Sequence, residues 1–400
     1  MDAAVPTRIG RYAIERRLGS GGMGEVYLAY SAAGEPVAVK VIRPDRTDPH
    51  ARARFEREAV IARTVSGTGR VARFIDADPF AEQPWLAMDY VPGRPLADVV
   101  KEQGPLAAPL VASLGALLAE GLAAVHAVGL VHRDLKAQNV ILGGFGPVII
   151  DFGLGAFLDA TKGSMSQAGM IMGTVRCIPP EQALGQVDVT PAADVYGLGT
   201  VLLYAATGHY PYDGAHWAAV AAQVANSDVH PDLSGLPDGL APVVSAMLAH
   251  RPEDRPALDE VTKRCAGLLR SLGTSPARAR RDLISATTVR DGATLVVPQP
   301  DAEMLDRIDL LVDDEPVPGP PATEEPATRV VRFEDLPTMD ASGKPGPPLP
   351  HATSPDVTSD VSAQLVPRTQ KPGRPPASRR VAEELRGRYA RGPALAWSKR

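Results

Sequence analysis

HRDLKAQN (132–139), VILGGFGPVII (140–150) and DFG (151–153) follow one another without a break, and the rest of the chain can be placed from this run. An aspartate, Asp134, is followed five residues later by an amide, Asn139. An apolar run, short enough for a single strand, then ends in a second aspartate, Asp151, capped by Phe152-Gly153. Asn139 and Asp151, brought together beside that strand, offer oxygen ligands of the kind Mg²⁺ takes and shares with phosphates. Asp134 is then left to face a substrate hydroxyl.

Residues 11–42 lie upstream and alternate as β-hairpins do: RYAIERRLG, GEVYLAYS, a turn at AAGEP, then VAVKVI. Between the first two runs stands Gly19-Ser20-Gly21-Gly22-Met23-Gly24, whose glycines let a backbone approach phosphate oxygens. G-x-G-x-x-G alone is weak evidence, because dinucleotide folds use it too. Here a strand follows it, not a helix, which argues for a hairpin lid over a nucleotide. Lys40 ends VAVK. A lysine there is ordinarily a solvated edge charge, but a strand returning beneath the lid carries it to the phosphates. The next segment, 49–64, reads as a helix. Glu58 is its candidate partner for Lys40, ahead of Glu56, because it shares a face with Phe55, Ala59 and Ala62. Two strands, VARFIDAD and PWLAMDYV, lead to a break at Pro92-Gly93. Helical patterns follow at LADVV and PLVASLGALLAEGLAAVHAVGL, the latter apolar along most of its length, as in a helix at the centre of a lobe.

GSGGMGEVYLA (19–29), VAVK, HAVGLVHRDLK (126–136), DFG and Pro179-Pro180-Glu181 together resemble the protein kinases, in wording closest to the bacterial eukaryotic-like serine/threonine protein kinases. The resemblance covers about residues 8–272. It implies an α+β, bilobal protein-kinase fold: a small antiparallel β-rich N-lobe (8–91) with one key helix, and a larger, mainly α-helical C-lobe (92–272). It implies ATP with Mg²⁺ (Mn²⁺ as the alternative) and protein substrates phosphorylated on Ser or Thr. Asp134 is then the catalytic carboxylate, Lys136 the residue reaching the transferring phosphoryl, Lys40 and Glu58 the ion pair, and Asn139 and Asp151 the metal ligands. ATP would be contacted by Leu18, the lid residues Gly19, Ser20, Gly21, Gly22, Met23 and Gly24, then Val26, Ala38, Lys40, Met88, Asp89, Val91 and Ile141. A Lys at 136 is similar to serine/threonine rather than tyrosine kinases. Arg133 would pair with a phosphate on the segment 154–178, at Thr161, Ser164 or Ser166, while Thr174 shapes the substrate-binding loop. Glu181 with Arg255, and Asp194 beneath the catalytic loop, are structural anchors. Two departures stand out: Ala137 where the family has Pro, and Gly197 where it most often has Ser.

Length allows two or three domains and one sizeable core. Charged residues make up 22% and the net charge is −5, which gives no reason to expect nucleic acid or a membrane as partner. Cys177 and Cys265 read as free thiols of a reducing compartment. No signal peptide or membrane span is read, so the expectation is a cytoplasmic protein. After residue 273, Pro, Thr and acidic residues take over to about 365, and basic residues dominate from Pro367, so 273–400 is expected to be mostly disordered. Residues 301–315 within it read as one short amphipathic helix or a docking motif. Thr287, Thr288, Thr328 and Thr353 are further candidate autophosphorylation sites. A dimer that phosphorylates itself in trans and a tail that docks partners stay open. A pseudokinase scaffold would lack a catalytic element, and a small-molecule phosphotransferase would lack the segment ending in Pro-Glu; this chain carries both features.

Overall fold

Alternation along β4 (Pro36–Ile42) sorts the small lobe into two faces. Val37 and Val39 join Tyr12, Ile14, Tyr27, Ala29, Trp85 and Ala87 on one side. Ala38 and Ile42 join Leu86, Met88, Phe55 and Ala59 on the other, as the two-residue period of a strand requires. The computed structural model describes residues 5–21, 24–42, 49–65, 68–151, 175–186, 189–288 and 297–313. The expectations for Gly22, Met23, Thr161, Ser164, Ser166, Thr174, Thr328 and Thr353 lie outside them.

β1 (Arg8–Ile9), β2 (Tyr12–Gly21), β3 (Gly24–Tyr30), β4, β5 (Phe74–Asp78) and β6 (Trp85–Asp89) form an antiparallel sheet in the order β1-β2-β3-β4-β6-β5. The β3–β4 turn closes through Ser31 N–H to Glu35 O (3.0 Å) and Gly34 N–H to Ser31 O (2.9 Å). Helix α1 (Pro49–Ala62) lays Phe55, Ala59 and Ala62 against the second face. The register sets Val26 opposite Lys40 and Lys40 opposite Leu86, and Leu28 opposite Ala38 and Ala38 opposite Met88. Gly24 is required by geometry: at φ 148° a Cβ would lie 1.8 Å from the Val41 carbonyl oxygen.

The chain leaves β6 for β7 (Gly93–Pro95), which pairs with β8 (Val140–Gly143), itself paired with β9 (Gly146–Ile149). Helix α2 (Leu96–Gln103) follows β7 and leads to α3 (Ala108–Ala127), the central helix. Val111, Leu114, Leu118 and Leu122 recur at helical spacing on α3 and are fully buried. They pack with α5 (Ala192–Thr207) and α8 (Leu258–Ser271). α3 is long and apolar enough to cross a membrane by length and composition; in this structure it is the core of the larger lobe. Short helices α4 (Pro180–Ala183) and α6 (Trp217–Ala225) pack against each other, and α7 (Ala241–Met247) packs on α5. Both cysteines are buried and free.

Two findings correct the sequence reading of the C-terminal third. The lobe does not stop at residue 272: α9 (Pro276–Thr288) buries Ala279 and Leu283 in the larger core. Its residue Thr287 is also buried, with its hydroxyl donating to Leu283 O at 2.9 Å, so it is not available as a phosphorylation site. The helix expected over 301–315 is present as α10 (Ala302–Asp313), and it lies on the small lobe, against Ala13 and Tyr30.

Candidate active site

Asp194, at the N-terminal end of α5, organises the loop that carries Asp134. Its carboxylate is buried and accepts three hydrogen bonds: His132 N–H (2.8 Å), Arg133 N–H (2.8 Å) and His126 Nε2 (2.7 Å). Burial alone would raise its pKa; the hydrogen bond and charge of His126, then those of His132, outweigh that and leave it below the ordinary value. These bonds over-determine a strained backbone, because Arg133 has φ 66°. The His132 ring, also buried, bridges the two halves of the loop, with Nε2 3.0 Å from Ile150 O and Nδ1 accepting Asp134 N–H at 3.3 Å. Gly197 lies directly beneath: a Cβ there would come within 3.1 Å of Leu135 Cβ and the Leu135 carbonyl oxygen. A side chain at 197 would therefore need Leu135 to give by a few tenths of an ångström.

The linkage gives a prediction. Asp194 has a folded pKa below its unfolded one, so its stabilisation is fully present above the unfolded value, about 3.9. It is lost as pH falls through the folded value. Asp194→Asn is expected to lower stability at neutral pH and to flatten the acid limb of the stability profile below about pH 4. Urea unfolding at a series of pH values checks it. A variant with the wild-type acid slope would show that Asp194 is not the linked group.

Around this frame the candidate side chains converge. Lys136 Nζ donates to Asp134 Oδ2 at 2.7 Å. Asn139 Nδ2 donates to Asp134 O at 2.8 Å and to Oδ2 at 3.3 Å. The Asn139 carbonyl accepts Ile150 N–H at 3.0 Å, which ties it to the residue before Asp151. Asp151 has φ 63°, the second strained position of the site. Burial would raise its pKa, but the charge and hydrogen bond of Lys40, with the charges of Lys136 and His132 behind them, bring it below the usual value.

Lys40, 6% exposed, donates from Nζ to Asp151 Oδ2 at 2.8 Å. The Lys40 contact that the structure describes is thus with Asp151, a carboxylate other than the expected Glu58, which is half-buried on α1. A nearly buried ammonium requires a carboxylate in contact, and Asp151 is the one that meets it here.

The sheet register places the other residues expected at the nucleotide. Val26, Ala38 and Met88 belong to the same apolar cluster as Phe74 and Leu86. On β8, Val140 and Leu142 enter the larger core, so by alternation Ile141, paired with Pro95 of β7, faces the other way. Asp89 spends its carboxylate on Arg73, through the N–H (3.1 Å), Nε (3.3 Å) and Nη2 (3.1 Å). Val91 makes no backbone hydrogen bond among the described residues. Gly19 and Gly21 pair with Val26 and Gly24, and Ser20 with Glu25, so the lid is a continuation of β2 and β3. Leu18 is exposed beside it.

The donor set fits Mg²⁺. Asn139 uses its amide nitrogen on Asp134 and keeps Oδ1 as an oxygen ligand, and Asp151 gives Oδ2 to Lys40 and keeps Oδ1. Two protein oxygens suit an ion that retains waters and takes further ligands from phosphates. Beyond the cleft, Glu181 and Arg255 form a buried bidentate pair, Nη1 to Oε1 and Nη2 to Oε2 at 2.7 Å each. Sequence reading gave no role to His126, and HAVGLVHRDLK holds the clue in a second histidine six residues before His132.

A family model, the protein kinase domain, matches residues 12–265. The chain is 46% identical over 257 residues to a probable serine/threonine-protein kinase, PkwA, of Thermomonospora curvata, covering 64% of this chain and 34% of that protein. It is 43% identical over 252 residues to the serine/threonine-protein kinase AfsK of Streptomyces coelicolor, covering 63% and 31%. Among solved structures, the kinase domain of PknI from Mycobacterium tuberculosis superposes with a TM-score of 0.52 at 27% identity, covering 66% of this chain and all of that one. The chain thus spans about a third of the length of these two curated relatives. On the family match, the identities and the shared bilobal architecture, the chain belongs to the protein kinase domain family, in its bacterial eukaryotic-like serine/threonine branch.

Proposed function

We propose that this chain is an ATP- and Mg²⁺-dependent serine/threonine protein kinase that also phosphorylates its own segment between Asp151 and Pro179. The observation that carries the reading is the joining of the lobes at one point. Lys40 of the small-lobe sheet is bonded to Asp151 of the larger lobe, while Lys136, whose charge reaches Asp151, is bonded to Asp134. In this reading Val26, Ala38, Met88 and Ile141 enclose the adenine, and the backbone of Asp89 and Val91 bonds its edge. The lid glycines and Lys40 hold the phosphates. Asn139 and Asp151 hold Mg²⁺, which when bound neutralises charge on the phosphate oxygens. Asp134 orients the acceptor hydroxyl and takes its proton as the new oxygen–phosphorus bond forms and the bond to ADP breaks. Lys136 stabilises the transferring group. Phosphoryl transfer depends chiefly on such positioning and charge stabilisation.

Arg133 beside Asp134, with hydroxyls at Thr161, Ser164 and Ser166, supports self-phosphorylation of that segment. The test is incorporation of label from γ-labelled ATP into the chain and into a generic protein acceptor, with Mg²⁺ and with chelator, followed by phosphoamino-acid analysis and peptide mapping. Metal-dependent label on Ser or Thr supports the reading. Absence of transfer under every metal condition overturns it, and label confined to peptides outside 152–178 overturns its self-phosphorylation part.

A further inference from the structure

The stretch that composition assigns to a loose tail grips both lobes. α9 is anchored on the larger one: Ala279 and Leu283 enter its core, and Arg280 Nη2 donates to Phe145 O, in the β8–β9 turn, at 2.8 Å. α10 is anchored on the small one. Met304 and Ile308, 4% and 3% exposed, pack on Ala13 and Tyr30, with Leu311 beside them. Arg307 Nη2 donates to Thr7 O (2.7 Å) and Ile14 O (2.5 Å). Thr7 O also accepts Ile14 N–H at 3.0 Å, so Arg307 caps the contact that starts β2.

The sheet register shows where this grip falls. Ala13 pairs with Tyr30, Tyr30 with Pro36, and the adjacent Val37 with Asp89. That is the end of the sheet from which the chain passes to the larger lobe, and α9 lies against β8, the partner of β7 on the far side of the passage. The β2–β3 ladder also shifts register between Ile14 and Arg16, directly beside the Arg307 contact. A bulge is a place where a strand bends, and past it β2 runs on to Gly19 and Gly21, the base of the lid.

We infer that α9 and α10 form a strap along the hinge side, with α10 acting as a positioning element that holds β2, and through it the glycine lid, for nucleotide binding. The two ends differ in kind. α9 is part of the core, whereas α10 is held, among the described residues, by Met304, Ile308 and Leu311 and by Arg307, so α10 is the end that can let go.

The test uses the full chain with Met304→Asp/Ile308→Asp, and separately Arg307→Ala, which introduces no buried charge. None of these residues lies in the cleft. Hydrogen exchange is expected to quicken by ~10-fold or more across residues 7–16 and 24–30 while α9 keeps its protection. The KM for ATP is expected to rise by roughly five-fold, with kcat changed less. Arg307→Ala is expected to move both readouts in the same direction, by less. Exchange in 7–16 equal to wild type overturns the strap. Faster exchange with an unchanged KM for ATP, or with raised activity, overturns its positioning role. The kinetic arm rests on the proposed kinase reading, and the exchange arm does not. A wild-type chain without ATP-dependent turnover would therefore sink that reading, while exchange would still decide whether α10 holds β2.

Discussion

Asp134→Asn is expected to cut the rate of phosphoryl transfer by about 10²–10⁴-fold, the range of a positioned general base, and to leave the thermal transition nearly where it was. The substitution preserves shape and removes charge. Asn139 still has the main-chain oxygen of residue 134 as its partner, at 2.8 Å. The loop still hangs from Asp194 through the N–H groups of His132 and Arg133. What disappears is the anion that Lys136 holds at 2.7 Å and that the acceptor hydroxyl would meet. A loss seen in single-turnover transfer, with ATP binding and melting temperature intact, identifies a chemical role. Equal transfer by variant and wild type would refute it.

The second large effect concerns stability. Arg255→Ala leaves Glu181 buried with neither oxygen bonded by the guanidinium that now meets both. Removing one member of a buried ion pair costs about 3–5 kcal/mol, which for a domain of this size lowers Tm by roughly 6–20 °C. Arg255 also donates to the carbonyls of Ala249, Ala192 and His250, and stacks over Tyr196 at 5.0 Å, so a lysine cannot reproduce it. A double replacement by apolar residues of similar volume, Glu181→Leu with Arg255→Met, is expected to recover a good part of the loss, because no uncompensated charge stays buried. Calorimetry of the three proteins checks this. A single variant that melts with the wild type would show that the pair does not anchor α4.

Much of this was legible before any coordinates. β2, β3, β4, α1, β5 and β6 stand where two-residue alternation and helical spacing put them. In the structure Lys40 bonds Asp151, and Asn139 bonds Asp134. The Lys40–Asp151 bond was not legible, because its two residues stand far apart in the chain on different lobes and only the packed chain brings them together. α9 was missed because its arginines gave PARARRDLISATT the look of a polar tail. Its signal was Ala279, Leu283 and Thr287, one residue per turn on a single face.

α10 divides the two kinds of knowledge most clearly. Met304, Ile308 and Leu311 at helical spacing specified an amphipathic helix, a property of neighbouring residues alone. Nothing local to them specifies Ala13 and Tyr30 as the surface they cover. Local periodicity and short motifs are written in contiguous residues, so the sequence determined the lobes, the lid and the catalytic loop. Which distant surfaces and charges finally touch depends on the whole packed chain, and only the tertiary structure decided the Lys40–Asp151 bond, the hold of His126 on Asp194 and the docking of α10.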